Sequence, residues 1–312
     1  MEKKEFEIDS SISQIPSHIY EYDLSYKYLK KDIEKSILKY NKREGLKKEL
    51  RDLEKIKYEY YLLQKKIDYD KEHINNLDKD NQKNRYNDIK PYKYNRVSLK
   101  LREYINASFI YIPSNFYFIA TQAPTDFSIN DFWDMVFEYD CKIIIMLCEE
   151  IEGGKIKSSC YWNSKNQSYN IQFNEKKIEK TNVIKRKITI SKNNVCKVVT
   201  QLQYIGWPDH GIPNMNDAYP SFLFIGNFIL NNKDKCPVIV HCSAGVGRTG
   251  TFISVFNVIY DILSKKNSEV IQFSIFNVVR KLKEMRRFLV QNVEQYFFIY
   301  QFIEVFLLYY NF

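Results

Sequence analysis

Cys242 and Arg248 are separated by Ser243, Ala244, Gly245, Val246 and Gly247, and the run closes on Thr249 and Gly250. Ahead of it, Val238, Ile239 and Val240 form a short apolar run of the kind that makes a buried strand, and a helical pattern begins near Arg248. A strand, a tight loop and a helix start aim successive backbone N–H groups and a helix N-terminus at one point, which suits an oxyanion such as phosphate. Cys242 sits at that point. The same donors favour its thiolate, and a thiolate inside an anion cradle is a nucleophile aimed at phosphorus. The planar fork of Arg248 can grip two phosphate oxygens at once, which the point charge of a lysine cannot do. Taken alone, Cys242 also reads as a buried structural cysteine after a strand.

The whole run, His241-Cys242-Ser243-Ala244-Gly245-Val246-Gly247-Arg248-Thr249-Gly250, carries the Cys-x5-Arg signature, and in this form it resembles the classical, phosphotyrosine-specific branch of the protein tyrosine phosphatases. Other stretches are similar to further loops of that family. Trp207, Pro208 and Asp209, flanked by Gly206 and Gly211, resemble its mobile acid loop, with Trp207 as hinge anchor and Asp209 as general acid. Asn84, Arg85, Tyr86, Asn87 and Asp88 resemble its phosphotyrosine loop. There Tyr86 would stack on the substrate ring and Asp88 would accept hydrogen bonds from the substrate backbone. Lys93 departs from the family pattern, which commonly has Asp after the Pro-Tyr pair.

Counting back from Trp162, the resemblance makes Glu152 the brace of Arg248 and brings Lys157 toward the acid loop; without it, both read as solvated loop charges. Near the C-terminus, Gln291 would position the hydrolytic water with Gln295 in support. Phe288 stands where many relatives carry a small residue, so its bulk would narrow the mouth of the pocket and disfavour substrates with adjacent phosphotyrosines.

Together these parts imply a two-step displacement. Cys242 attacks phosphorus while Asp209 protonates the departing phenolate, whose conjugate acid has a pKa of about 10. Arg248 and the N–H groups of residues 243–248 hold the equatorial oxygens. His241 would help stabilise the thiolate and order the loop, and Thr249 would hydrogen-bond the sulfur as it leaves. Asp209 then serves as base toward the water held by Gln291. No cofactor or metal is required, since there is no HExxH pattern or clustered Asp/His set and the cradle supplies positive potential.

The elements that must position these residues follow from composition and periodicity. With 312 residues, 45% of them apolar and 16% aromatic, the chain can bury a sizeable core. Its 47 basic and 38 acidic side chains give a net charge of +9, read as a lysine-rich surface; no basic tract or zinc spacing points to nucleic acid. Six cysteines without a CxxC pair fit a reducing compartment. The N-terminus lacks an apolar signal core, and the apolar stretch from 296 to 312 is interrupted by Gln301 and Glu304, so it reads as a core helix rather than a membrane span. A cytoplasmic, soluble protein is the expectation.

The division falls near residue 78. Residues 1–77 form a charged, amphipathic helical extension or insertion, and residues 78–312 form the catalytic domain. Leu46, Leu50, Leu53, Ile56, Tyr60, Leu63 and Ile67 recur at spacings of three and four, predicting two helices with a break near 41–45. The apolar face of 44–68 fits either packing onto the chain's own domain or a helical partner, including a second copy. For the rest, the resemblance implies an α/β (α+β) fold, a highly twisted mixed sheet flanked by helices. Two rival readings remain: a module that captures phosphotyrosine without hydrolysing it, and a dual-specificity or lipid phosphatase. The intact Cys242, Arg248 and Asp209 stand against the first. Tyr86 and the lack of lysines between Cys242 and Arg248 stand against the second.

Overall fold

The computed structural model describes residues 26–42, 48–65, 81–102, 104–112, 116–164, 168–208, 211–232 and 236–310. Asp209, His210, Leu46 and Ile67 lie outside the described residues.

The N-terminal segment contributes α1 (Tyr26–Lys35), β1 (Leu38–Asn41) and α2 (Leu53–Lys65). The sheet region then brings β2 (Ala107–Ile112), β3 (Phe116–Thr121), α3 (Ile129–Glu138), β4 (Ile143–Met146) and the small hairpin β5 (Ile151–Glu152) and β6 (Lys155–Ile156). Three long strands follow, β7 (Asn170–Ile178), β8 (Val183–Lys192) and β9 (Val195–Tyr204), and then α4 (Met215–Asn231). The last third holds β10 (Val238–His241), α5 (Gly247–Ser264), β11 (Val270–Phe273), α6 (Ile275–Met285) and α7 (Val293–Tyr309).

The main sheet has seven strands in the order β2-β3-β10-β4-β9-β8-β7. Strand β10 pairs in parallel with both β3 and β4, and β4 in parallel with β9, while β2, β8 and β7 complete the edges antiparallel. The fold is therefore mixed, as expected. Its central strands are apolar on both faces, as strands covered on two sides must be. Ile143, Ile145 and Val240 face the layer of α4, α5, α6 and α7. On the opposite face, Ile144, Met146 and Ile239 meet Phe132, Trp133 and Val136 of α3.

The N-terminal segment forms two helices, as expected, but the first ends at Lys35 rather than near residue 41. Residues 38–41 pair antiparallel with β11, so the backbone leaves the helix to satisfy its hydrogen bonds across a ladder. The helix resumes at Leu53 because Asp52 caps it, accepting from the Lys55 backbone N–H at 3.1 Å. Leu53 is consequently exposed at 49%, whereas Leu50, Ile56, Tyr60 and Leu63 are buried in the same core cluster as α5, α6 and α7. Strand β7 was also not anticipated, because its side chains alternate little and are mostly exposed.

Candidate active site

Strand β10 ends at His241, and α5 starts at Gly247, so residues 242–246 make the loop between them. Two glycines are needed for it to fit. Gly245 has φ +71°, and a Cβ there would lie 2.1 Å from the Thr121 carbonyl oxygen. At Gly250 a Cβ would lie 2.4 Å from the Val290 nitrogen, so α5 and the 289–290 backbone can approach only without a side chain.

The loop's carbonyls are tied outward. Arg286, with no exposed surface, donates from Nε to the Gly245 carbonyl at 2.8 Å and from Nη2 to that of Ala244 at 3.2 Å. Its remaining donors reach Asn106 Oδ1 at 2.8 Å and Ser108 Oγ at 3.2 Å. The Ser243 carbonyl accepts from the Ala123 N–H at 2.9 Å. With these carbonyls occupied behind the loop, its N–H groups are left to face an anion. Burial pulls the Arg286 guanidinium down to about 10, still charged at neutral pH. Sequence reasoning missed Arg286; its only signal was an arginine at the end of an otherwise apolar helix face.

Cys242 is buried at 4% exposure. Arg248 lies against Glu152 in a bidentate pair, Nη1 to Oε1 at 2.6 Å and Nη2 to Oε2 at 2.7 Å, with longer contacts to the Leu147 and Pro208 carbonyls at 3.2 Å. Glu152 is therefore brought to the site from the β5–β6 hairpin, and the Pro208 contact brings the segment before Asp209 to the same guanidinium. Trp207 is buried against Phe222 and Phe298, and its Nε1–H donates to the Gly211 carbonyl at 3.2 Å, closing the base of that loop.

His241 is fully buried. Its Nδ1 lies 3.0 Å from the Cys242 carbonyl and its Nε2 2.8 Å from the Tyr161 hydroxyl, which in turn accepts from Gln201 Nε2 at 2.6 Å. Desolvation pushes the imidazole down to about 4, so it is neutral at physiological pH and brings hydrogen bonds rather than charge to the loop. The Thr249 hydroxyl is buried and has no hydrogen-bond partner, so the expected bond to the sulfur is not made in this structure.

Tyr86 is half-buried, with its hydroxyl 3.0 Å from Ser243 Oγ, which donates to the Lys157 carbonyl at 3.0 Å. The phosphotyrosine-type loop, the nucleophile loop and the hairpin are thus joined by one hydroxyl. Asp88 is exposed on the same loop, and Lys157 is half-buried. The Gln291 backbone N–H donates to Gln295 Oε1 at 2.9 Å. A Cβ on Gly247 would lie 2.9 Å from the Gln295 amide and 3.1 Å from Gln291 Oε1, so both glutamines reach the nucleophile loop. Phe288 has φ +66°, a left-handed conformation that glycine adopts most readily, and Arg287 lies 4.7 Å over its ring.

A cysteine between a central parallel strand and a helix, beside a braced arginine, is an arrangement suited to thiolate attack on a phosphate ester. A family model for protein-tyrosine phosphatase matches residues 80–304. Tyrosine-protein phosphatase non-receptor type 20 of Rattus norvegicus is 39% identical over 71% of this chain and 53% of its own length. The phosphatidylinositol phosphatase PTPRQ of Rattus norvegicus is 36% identical over 70% of this chain and 10% of its own. Among solved structures, the catalytic domain of human protein tyrosine phosphatase non-receptor type 18 superposes with a TM-score of 0.73 at 30% identity, covering 83% of this chain and 98% of that one. The chain belongs to the protein-tyrosine phosphatase family. It spans about half the length of the first of these curated relatives. No helix among the described residues is long and apolar enough to cross a membrane.

Proposed function

We propose that the chain hydrolyses phosphotyrosine monoesters in proteins through a cysteinyl-phosphate intermediate. The observation that carries this reading is the Arg248–Glu152 pair beside Cys242, at the end of a strand whose loop carbonyls are held back by Arg286. Cys242 thiolate forms the S–P bond as the P–O bond to tyrosine breaks, and Asp209 delivers the proton to the phenolate. Water then attacks phosphorus, Asp209 takes its proton, and the sulfur leaves. Gln291 and Gln295 orient that water, with Thr249 available to the departing sulfur. Arg248 and the N–H groups of residues 243–248 hold the oxygens throughout, and such preorganised donors are usually the largest catalytic contribution.

Selectivity comes from depth. Tyr86 stands as a wall beside Ser243, and a phosphoserine is too short to bring its phosphate past that wall to Cys242. Asp88, exposed beside it, is suited to accept hydrogen bonds from the substrate backbone, and the bulk of the partly exposed Phe288 is read as narrowing the mouth. The solved complex of PTPN18 with HER2-pY1196 phosphopeptides, 30% identical to this chain, supports peptide substrates for this chain too. A cytoplasmic location fits six free cysteines, one of them the nucleophile.

Because one relative is named a phosphatidylinositol phosphatase, the test compares initial rates on a phosphotyrosine peptide, a phosphothreonine peptide and phosphoinositide vesicles. A preference for the tyrosine peptide is expected. Equal or higher rates on the lipid would overturn the reading.

A further inference from the structure

The Gln291 loop contains two residues in the left-handed region, Phe288 at φ +66° and Val290 at φ +58°. A β-branched residue in that conformation is a true outlier and persists only where its surroundings over-determine it. At Val290 the surroundings are specific. Its N–H lies 3.4 Å from the Val246 carbonyl of the nucleophile loop. Its carbonyl accepts from Lys283 Nζ at 2.9 Å and from the Tyr60 hydroxyl at 3.5 Å.

Tyr60 belongs to α2, far away in sequence. Gln64 Nε2, one turn on, donates to its hydroxyl and leaves the hydroxyl hydrogen for the Val290 carbonyl. The Lys283 ammonium lies 5.4 Å from the centre of its ring, so ring and hydroxyl together roof the carbonyl.

The neighbouring residue holds the other end of the loop. Glu59, 5% exposed, accepts from the Tyr296 hydroxyl at 2.8 Å and from that of Tyr300. Tyr296 follows Gln295, whose side chain accepts the Gln291 N–H. A buried carboxyl group placed between two phenols on α7 fixes the first turns of that helix, and the Tyr60 and Tyr296 rings, 5.7 Å apart, pack across the join.

We propose that Glu59 and Tyr60 are positioning residues for the Gln291 loop, clamping Val290 at one end and Tyr296 at the other, so that α2 governs the second chemical step. This rests on the phosphatase reading. Its distinctive consequence is that loosening α2 slows hydrolysis of the cysteinyl-phosphate while leaving its formation intact, because the hydrogen bonds of Glu59 and Tyr60 end on Val290, Tyr296 and Tyr300, on the glutamine side of the site.

The test uses the full chain carrying Tyr60→Phe, Glu59→Leu or Glu59→Gln, with p-nitrophenyl phosphate in stopped flow. Tyr60→Phe and Glu59→Leu should release p-nitrophenolate in a burst followed by a steady rate lowered about ten-fold, with kcat/KM kept within about two-fold. Glu59→Gln, which keeps an acceptor for the phenols, should recover most of kcat. Hydrogen exchange read by mass spectrometry should rise over residues 289–292 in the two disrupting variants, whatever their activity. Parallel loss of kcat and kcat/KM, or unchanged kinetics and exchange, would overturn the clamp. Tyr60→Phe deletes one oxygen and keeps the ring, so it stays readable should Glu59→Leu fail to fold. A wild-type chain that releases no p-nitrophenolate would instead count against the phosphatase reading, leaving the exchange result to judge the clamp.

Discussion

Arg248 and Glu152, 96 positions apart, meet in a bidentate pair at 2.6 and 2.7 Å with both side chains at least nine-tenths buried. The pair fixes the plane of the guanidinium before any phosphate arrives. Removing one partner of such a pair leaves a buried charge uncompensated, which typically costs about 3–5 kcal/mol. Glu152→Ala should therefore lower stability toward urea by that order and reduce kcat/KM on a phosphotyrosine peptide about 100-fold. Urea titration and steady-state kinetics on the same preparation check both.

Arg286 should be as important although it touches no substrate. Its fork reaches four acceptors, including the Gly245 and Ala244 carbonyls. Lysine cannot reproduce that planar set. Arg286→Lys should cut kcat/KM at least about ten-fold and shift the unfolding midpoint downward. A lysine variant with wild-type kinetics would show that the carbonyl ties are dispensable.

The pH dependence of stability should carry the signature of His241. Its imidazole is held down to about 4 by burial, against an ordinary value near 6.5. Between those values the unfolded chain binds a proton that the folded chain refuses, so stability falls as pH drops from about 6.5 toward 4. The loss approaches roughly 3 kcal/mol at the lower end, from about 1.4 kcal/mol per pKa unit. Urea unfolding at a series of pH values should show this slope, and His241→Asn should flatten it.

Phe288→Gly tests the narrow mouth. Glycine adopts φ +66° without strain but also gains freedom when unfolded, so stability should change by less than about 1 kcal/mol. Turnover of a doubly phosphorylated peptide should rise relative to the singly phosphorylated one. No change in that ratio would remove Phe288 from the account of selectivity.

What could be read from the chain depended on sequence distance. Strand β10, its loop and the start of α5 are contiguous, so Cys242, Arg248 and the glycine requirements were visible in one run. Glu152, Tyr86 and Gln291 became visible only through resemblance, because nothing local to them announces a site. Arg286 holding Gly245 and Glu59 holding Tyr296 could not be seen, since a buried hydrogen bond across 41 or 237 positions leaves no periodicity. Residues 38–41 read as helix surroundings because their pairing partner, β11, lies more than two hundred positions on. Strand β7 was hidden by its polar, exposed faces.

The central claim is covalent chemistry at Cys242. The most direct measurement is a rapid acid quench of the chain turning over a phosphotyrosine peptide, followed by mass spectrometry of the fragment containing residue 242. The account predicts a phosphoryl group on Cys242 in the wild-type chain, more of it in Gln291→Ala, and no turnover in Cys242→Ser. Turnover by Cys242→Ser, or a phosphoryl group carried by another residue, would contradict it.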